Sequence, residues 1–223
     1  MEGENGAPGY GDYCPIARAC DVLATRWTPL IVRNLLMGCR TFSDVRAGIP
    51  EISKTLLTQR LRMLEFHGLV ERRAHGGRTS YHLTPSGMEL EPVIMALGRW
   101  GEQWVELGPE HFDARRVVWW LTKKIDPGTL PDERTVVRFD VPGSSERYWL
   151  LLERPNAEVC MQPPGGGDDL IVSASAETLV RWHTGQIDLG TAMATGDATV
   201  TGPQWLERML ASWGGTGSLL ATG

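Results

Sequence analysis

No stretch of the 223-residue chain approaches the ~20 consecutive apolar residues that are needed to span a bilayer. Residues 1–13 are rich in glycine and acidic residues, and they lack the basic start and apolar segment of a secretory leader. The histidines lack metal-ligand spacing, and no C-x-x-C pair occurs among Cys14, Cys20, Cys39 and Cys160. These absences favour a cytoplasmic protein with free thiols, and they predict no metal site and no cofactor.

Basic residues are in the minority, but they are concentrated in one part of the chain. The formal net charge is −5. Between Arg40 and Arg78, eight Arg or Lys residues stand against four acidic ones, whereas ten basic and fifteen acidic residues lie from Glu110 to the end. Because local charge decides where a phosphate backbone docks, the first of these segments favours nucleic acid and the second does not.

The composition of the chain changes near Leu107-Gly108-Pro109. Before this point the apolar spacing is mostly helical, and after it four strand-like runs appear, at 135–141, 147–153, 157–162 and 169–175. The predicted organisation is a flexible N-terminus, a first domain, a second domain and a flexible tail, over 1–12, 13–107, 112–214 and 215–223.

The first domain is predicted to consist of helices, a β-hairpin and a last helix. Three helices are expected, over 15–24, 27–37 and 41–46. A longer helix, capped by Ser53, is expected to end near Phe66. Two strands, 69–74 and 79–83, flank a tight turn at Gly76-Gly77. The last helix is expected to begin after Thr84-Pro85, and Pro92 predicts a kink or a late start in it.

The helix after Ser53 combines a buried face with a polar one. Leu57, Leu61 and Leu64 form an apolar stripe, which directs polar and basic side chains outward, where they suit the edges of bases in a major groove. The glycine-tipped hairpin carries further basic residues and is thin enough to approach a duplex closely. The order helix, helix, hairpin therefore predicts a winged helix that contacts DNA through Ser53, Lys54, Thr55, Thr58, Gln59, Arg62, Arg72, Arg73, His75 and Arg78.

Residues 14–105 resemble HxlR-type transcription regulators. The resemblance is specific because many short matches occur in one order: Cys14-Pro15-Ile16, Asp21-Val22-Leu23, Arg26-Trp27-Thr28, Leu30-Ile31, Phe42-Ser43-Asp44-Val45, Gly48-Ile49-Pro50, Ile52-Ser53, Leu57-Thr58-Gln59-Arg60-Leu61-Arg62, Leu64-Glu65, Gly68-Leu69-Val70, Tyr81, Leu83-Thr84 and Gly87. It implies a homodimer that packs through the first and last helices of this domain and binds a pseudo-palindromic operator. Trp100 and Trp104 on the last helix suit either that interface or the core of one subunit.

Cys14 is a candidate redox sensor, because some HxlR-type proteins sense oxidants or electrophiles through a cysteine at this position next to proline. Arg18, one turn further along the predicted helix, would lower the pKa of the thiol if the two side chains met. The alternative is an unreactive thiol at the dimer seam.

The second domain contains no recognisable catalytic set. Asp168 and Asp169 are adjacent, so they would face opposite sides of a strand, and His183 has no Cys or Ser nucleophile motif nearby. Pro163–Gly167 is not followed by the Lys-Ser or Lys-Thr of a phosphate-binding loop. The chain is therefore predicted not to be an enzyme.

Residues 165–212 resemble the C-terminal part of sterol-carrier-protein-like domains. The segments that carry this resemblance are 169–175, 176–183, 184–185, 192–196 and 198–202. It implies a curved mixed sheet with helices over an apolar tunnel, which would take an apolar or amphipathic small molecule. Either the walls of this pocket or a filled core would be formed by Trp119, Trp120, Trp149, Leu151, Trp182, Met193, Trp205 and Met209.

The predicted fold class is α+β, a winged helix-turn-helix domain followed by a sterol-carrier-protein-like α/β sandwich. The predicted function is a regulator of transcription that binds double-stranded DNA as a homodimer, modulated by an apolar effector in the second domain. Two alternatives are a carrier of lipids or small molecules whose first domain only mediates association, and a thiol-based redox regulator that acts through Cys14.

Overall fold

The computed structural model describes residues 9–215, so most of the predicted flexible ends, 1–12 and 215–223, lie outside the described residues. The chain divides into two compact units, Met1–Leu97 and Gly98–Gly223. Within the described part of the chain, no helix is both long enough and apolar enough to cross a membrane.

The first unit follows the predicted order of helices and hairpin. Its elements are α1 (Pro15–Leu23), α2 (Thr28–Leu36), α3 (Phe42–Ala47), α4 (Lys54–Phe66), β1 (Val70–His75), β2 (Arg78–Leu83), the short α5 (Pro85–Met88) and α6 (Glu91–Trp104). The boundary between the units lies within α6. Pro92 is the second residue of α6, where its missing N–H costs nothing, so the predicted late start is confirmed.

The core of the first unit lies between α2, α3, α4 and the base of the hairpin. Fully buried side chains from these elements include Ile31, Leu35, Val45, Leu57 and Leu61. The turn between α3 and α4 contributes two more buried residues, Ile49 and Ile52. At the base of the hairpin, a Cβ on Gly87 would lie 2.0 Å from the Leu69 carbonyl oxygen, so only glycine allows α5 to pack this closely.

The second unit contains a five-stranded mixed sheet. Its elements are α7 (Ala114–Lys124), β3 (Thr135–Asp140), β4 (Arg147–Glu153), β5 (Asn156–Cys160), β6 (Leu170–Ala174), α8 (Ala176–His183), α9 (Leu189–Thr195), β7 (Ala198–Thr201) and α10 (Gln204–Ala211). The strand order is β5-β4-β3-β6-β7, and β3 and β6 are parallel while the other pairs are antiparallel. The four predicted strands are present, and β7 is an addition.

All the helices of the second unit that follow α6 pack on one face of this sheet. Phe139, Leu150 and Val172 project into the same apolar core as Leu121 of α7, Trp182 of α8 and Leu210 of α10. Alternate residues of each strand face the other way. On that opposite face, Trp149 donates its indole N–H to Asp168 (2.9 Å), which lies in the connection from β5 to β6.

Candidate nucleic-acid interface

Each of the two helices of the helix-turn-helix, α3 and α4, begins at a side-chain cap. The Thr41 side chain accepts the Asp44 N–H (3.1 Å) and Asp44 accepts the Thr41 N–H (3.2 Å), so a complete capping box begins α3. Ser53 Oγ accepts the Leu56 N–H (3.1 Å) and begins α4. The first amides of α4 lie beyond this cap and have no intrahelical partner, as at every helix start.

Buried polar groups fix α3 and α4 to the rest of the first unit. Asn34 is fully buried in α2 and donates to the Val45 carbonyl of α3 (2.9 Å). Arg33 donates to the Gly48 carbonyl after α3 (3.1 Å). Arg60 of α4 is also buried, and it donates to the Arg26 carbonyl (3.2 Å). Arg60 therefore positions the helix, whereas Arg62, two residues on, is exposed.

The outward face of α4 is polar and basic, as predicted from the leucine spacing. Leu57, Leu61 and Leu64 are at most 1% exposed. Thr58 is half-buried, and its hydroxyl donates to the Lys54 carbonyl (2.9 Å), so it has one fewer hydrogen-bonding group to offer a base. The remaining predicted contacts on this helix and its cap are exposed: Ser53, Lys54, Thr55, Gln59 and Arg62.

One exposed residue on this face was not predicted as part of the interface. Phe66 is 86% exposed and lies at i+4 from Arg62, at the C-terminal end of α4. Its ring contacts the edge of the His67 ring, with 5.3 Å between centroids. The sequence did signal it, because an aromatic residue stands at the helix end outside the leucine stripe.

The hairpin divides its basic residues between two faces. Gly76 and Gly77 both have positive φ (57° and 77°), as a two-residue turn of the type I′ class requires. The register pairs Arg73 with Ser80 and His75 with Arg78, so Arg73, His75 and Arg78 share one face. Arg72 pairs with Tyr81 and projects from the opposite face. All four predicted contacts are exposed, but they do not form a single cluster.

Charge near the base of the hairpin is partly compensated. The Arg73 guanidinium forms an ion pair with Glu71, two residues away on the same face. The pKa of His82 is lowered, first by burial and then by the positive charges of Arg73 and Arg40. The charge of Glu71 opposes this shift but does not reverse it.

Comparison with known proteins covers the segment that carries this interface. The model of the HxlR-like helix-turn-helix family matches residues 22–109. The HTH-type transcriptional regulator sll1512 of Synechocystis sp. is 36% identical over 99 residues, which are 43% of this chain and 73% of that protein. For the HTH-type transcriptional regulator YvaP of Bacillus subtilis, the identity is 35% over 99 residues, or 43% of this chain and 92% of that protein.

The chain belongs to the HxlR-like helix-turn-helix family. Among solved structures, the reduced form of the transcriptional regulator YodB from B. subtilis is 33% identical, with a TM-score of 0.38, and the match covers 44% of this chain and 99% of that one. Because the family and its members are regulators of transcription, the predictions of a DNA-binding regulator and of a chain that is not an enzyme are confirmed. The family match ends at residue 109, so the sterol-carrier-protein-like architecture of the second domain stays a prediction.

In this HxlR-like protein, the residues predicted to line a pocket of the second domain are divided between the helix-covered core, the opposite face of the sheet and the surface. Trp182, Met193 and Met209 belong to the core on the helix-covered face. Trp149 and Leu151 alternate with core residues of β4 and project from the opposite face. Trp205 is 51% exposed, and the two remaining candidates of α7 are Trp119, which is buried, and Trp120, which is half-buried.

Cys14 is the N-cap of α1, with its own N–H donated to Asp12 (3.1 Å). The backbone N–H groups of Ala17 and Ile16, at the start of α1, lower the pKa of its thiol. The cause is therefore the start of the helix, and Arg18, which was predicted to act if it met the thiol, is not among the groups responsible.

Proposed function

We propose that this HxlR-like regulator binds a pseudo-palindromic DNA operator as a homodimer, with α4 of each subunit in the major groove. One observation carries the proposal: the polar and basic face of α4 is exposed directly opposite its buried leucine stripe. An α-helix fits the major groove, where its outward side chains meet base edges. The hairpin would then lie against the neighbouring backbone or minor groove.

The exposed side chains of α4 have distinct chemical roles in this proposal. Arg62 suits a guanine edge, where a guanidinium donates to O6 and N7 together. Gln59 suits adenine, and Thr55 can contact either a base or a thymine methyl group. Lys54 and the free amides after Ser53 suit a phosphate at the start of the helix. In the hairpin, Arg72, Arg73, His75 and Arg78 would hold the backbone from two faces.

Exposed apolar residues support the proposed dimer. On α6, Val93, Leu97, Trp100 and Trp104 follow the spacing i, i+4, i+7, i+11, and each is at least half exposed. On α1, Ile16 is 73% exposed. An apolar stripe of this spacing is typical of a helix that packs against a partner helix. The proposed dimer therefore uses the first and last helices of the winged-helix domain.

The proposed role of the second unit is to bind a small apolar or amphipathic effector that changes the affinity for DNA. Its support is a five-stranded mixed sheet with helices on one face, which agrees with the resemblance to sterol-carrier-protein-like domains. Coupling requires that the effector bind more tightly to one arrangement of the dimer than to another.

Selection of bound sequences from a random pool of DNA duplexes tests the proposal. The expected result is one motif with two-fold symmetry, bound with an affinity that falls steeply with salt in proportion to the phosphates contacted. Selection of no motif would exclude sequence-specific binding, and an asymmetric single motif would exclude the symmetric dimer. A carrier that associates through its first domain would give neither enrichment nor salt dependence.

A second candidate function is thiol-based control through Cys14, favoured by its position as the N-cap of α1, where the backbone N–H groups of Ala17 and Ile16 lower the pKa of its thiol. Treatment with diamide should then change operator affinity in the unmodified protein and leave it unchanged in Cys14→Ser. Cys20→Ser is the matched control, since Cys20 is equally half-buried and lies on the same helix. An equal response in Cys14→Ser would exclude this function.

A further inference from the structure

The end of α6 and the segment after it form one wall of a cleft in the second unit. The cleft measures about 820 Å³, within the range of small-molecule sites. Residues 101–107 and His111 lie on one side, and Arg181, Thr184 and Gln186, at and after the end of α8, lie on the other. All of these residues belong to the second unit.

The apolar part of the cleft consists of side chains that are exposed to solvent. Trp104 is 67% exposed and Val105 is 51% exposed, with Leu107 half-buried nearby. An exposed indole is a large apolar surface, and its face also attracts cations. Trp104 is the last residue of α6 and the last member of the exposed α6 stripe.

The charged part of the cleft carries an excess of carboxylate. Glu102 and Glu106 both line it, and Glu106 is exposed with no ion-pair partner among the described residues. Arg181 is the one lining residue with a fixed positive charge. Its Nε donates to Glu177 (2.9 Å) and its Nη1 donates to Gln186 (3.1 Å), so its charge is already compensated.

The Nδ1 atom of His111 is already engaged, because it accepts the N–H of Gly108 at 2.8 Å. The same atom lies 3.8 Å from a carboxylate oxygen of Glu110, which adds a third acidic side chain close to the cleft. The surroundings thus disfavour an anion and leave Glu106 and the Trp104 face as the groups that an occupant would meet.

We infer that this cleft binds a small lipophilic cation, which the Trp104 ring and the Glu106 carboxylate recognise together. The ring would take the apolar groups of the ligand and part of its charge, and the carboxylate would supply the opposite charge. The regulatory consequence of ligand binding rests on the proposed function. Because Trp104 also ends the exposed α6 stripe, a ligand bound against its ring would bias how that stripe packs in the proposed dimer.

Titration calorimetry of the full-length protein with two probes of matched shape and opposite charge tests the site. Tetraphenylphosphonium should bind at least about tenfold more tightly than tetraphenylborate. Equal affinities, tighter binding of the borate, or no binding of either probe would overturn the inference. Glu106→Gln should weaken the phosphonium about fivefold. The control Glu133→Gln, an exposed acid outside the cleft, should leave it unchanged.

A pair of tryptophan substitutions locates the site. Trp104→Leu should weaken binding of tetraphenylphosphonium, whereas Trp205→Leu, at a comparably exposed residue of the same unit, should not. The reverse outcome would place the ligand at the other predicted pocket wall and overturn the inference. If Trp104→Leu changes the oligomeric state in sedimentation, Glu106→Gln still tests whether the cleft binds the cation, because Glu106 forms no ion pair with the described residues.

The same protein separates this inference from the proposed function. Affinity for the selected operator is measured first without the probe and then with a saturating concentration of tetraphenylphosphonium. Binding of the probe without any operator binding would remove the proposed function and keep the site. Operator binding without probe binding would do the opposite, and an operator affinity that the bound probe leaves unchanged would overturn the regulatory consequence.

Discussion

Arg72 and Arg73 are neighbours in the sequence but project from opposite faces of the hairpin, because they pair with Tyr81 and Ser80 respectively. Only Arg73 has an acidic neighbour on its own face, and it forms an ion pair with Glu71. The local net charge around the two arginines therefore differs, because only the charge of Arg73 is offset by a neighbouring carboxylate. Among the described residues, the one hydrogen-bond partner of the Arg72 guanidinium is the Thr79 hydroxyl at 3.5 Å, whereas the Arg73 guanidinium is paired with a carboxylate.

Replacing Glu71 should strengthen binding to DNA. In Glu71→Gln the Arg73 guanidinium loses its partner, and a negative charge close to the phosphates disappears. We expect operator affinity to rise about threefold at low salt, and the dependence of affinity on salt to become steeper, by about one phosphate contact. Fluorescence anisotropy at several salt concentrations measures both. Glu89→Gln, at an exposed acid of the same unit that follows the end of α5, is the control, and an equal gain there would attribute the effect to net charge alone.

Much of this interface could be predicted from the sequence, because it depends on local signals. Ser53 marks the start of α4, the leucine spacing fixes which side is buried, and Gly76-Gly77 fixes the turn. The division of the hairpin arginines follows from the alternation of a strand once the register is known. The pairing of Arg73 with Glu71 could not be predicted, since it depends on side-chain conformations that no pattern specifies.

Arg62 is the α4 side chain whose loss should be most specific to sequence. Arg62→Ala should cost about 1–3 kcal/mol at one base pair of the operator and relax the preference there, if the contact is bidentate. Competition between the selected operator and single-base variants measures this change. Arg115→Ala, at an exposed arginine of α7, should alter neither affinity nor preference. An unchanged preference in Arg62→Ala would show that Arg62 contacts no base.

The exposed stripe of α6 gives a test of the dimer. Leu97 is 54% exposed in the single chain, and a carboxylate there would be brought close to its copy in the proposed interface. We expect Leu97→Glu to weaken dimerisation by about 1–3 kcal/mol, and to lower affinity for the symmetric operator more than for a half-site. Sedimentation at several protein concentrations measures the first effect. Met88→Glu introduces the same charge at a 48% exposed residue of α5 and should leave the dimer intact.

Two features show where prediction from one sequence ends. In α6, Ile94 is buried whereas Leu97 and Trp104 are exposed. A helix with apolar residues on more than one face does not indicate which face its own chain covers. In the same way, Trp149 and Trp182 are both buried, yet they lie on opposite faces of the sheet. Strand order, which decides this, is a non-local property.

The buried His183 of α8 should make stability depend on pH. Burial, and then the positive charge of Lys124, lower its pKa from 6.5 to about 4. Its Nδ1 has no hydrogen-bond partner among the described residues, and the Trp120 ring is its aromatic neighbour. Between pH 6.5 and 4 the unfolded chain binds a proton at this histidine and the folded chain does not. Stability is therefore complete above pH 6.5 and falls as the pH is lowered toward 4, by about 3 kcal/mol in total.

Urea unfolding from pH 7.5 to 4.5, compared between the unmodified protein and His183→Phe, isolates this contribution, because carboxylates titrate in both. The variant removes the titrating group while keeping an aromatic ring in the core, so its stability should fall less steeply below pH 6.5. His67→Phe is the control, since the His67 side chain is exposed after the end of α4 and has no hydrogen-bond partner among the described residues. Parallel pH profiles of the unmodified protein and His183→Phe would show that the folded chain accepts a proton at His183 as readily as the unfolded one. That outcome would contradict the lowered pKa of His183, which burial of the ring and then the positive charge of Lys124 cause.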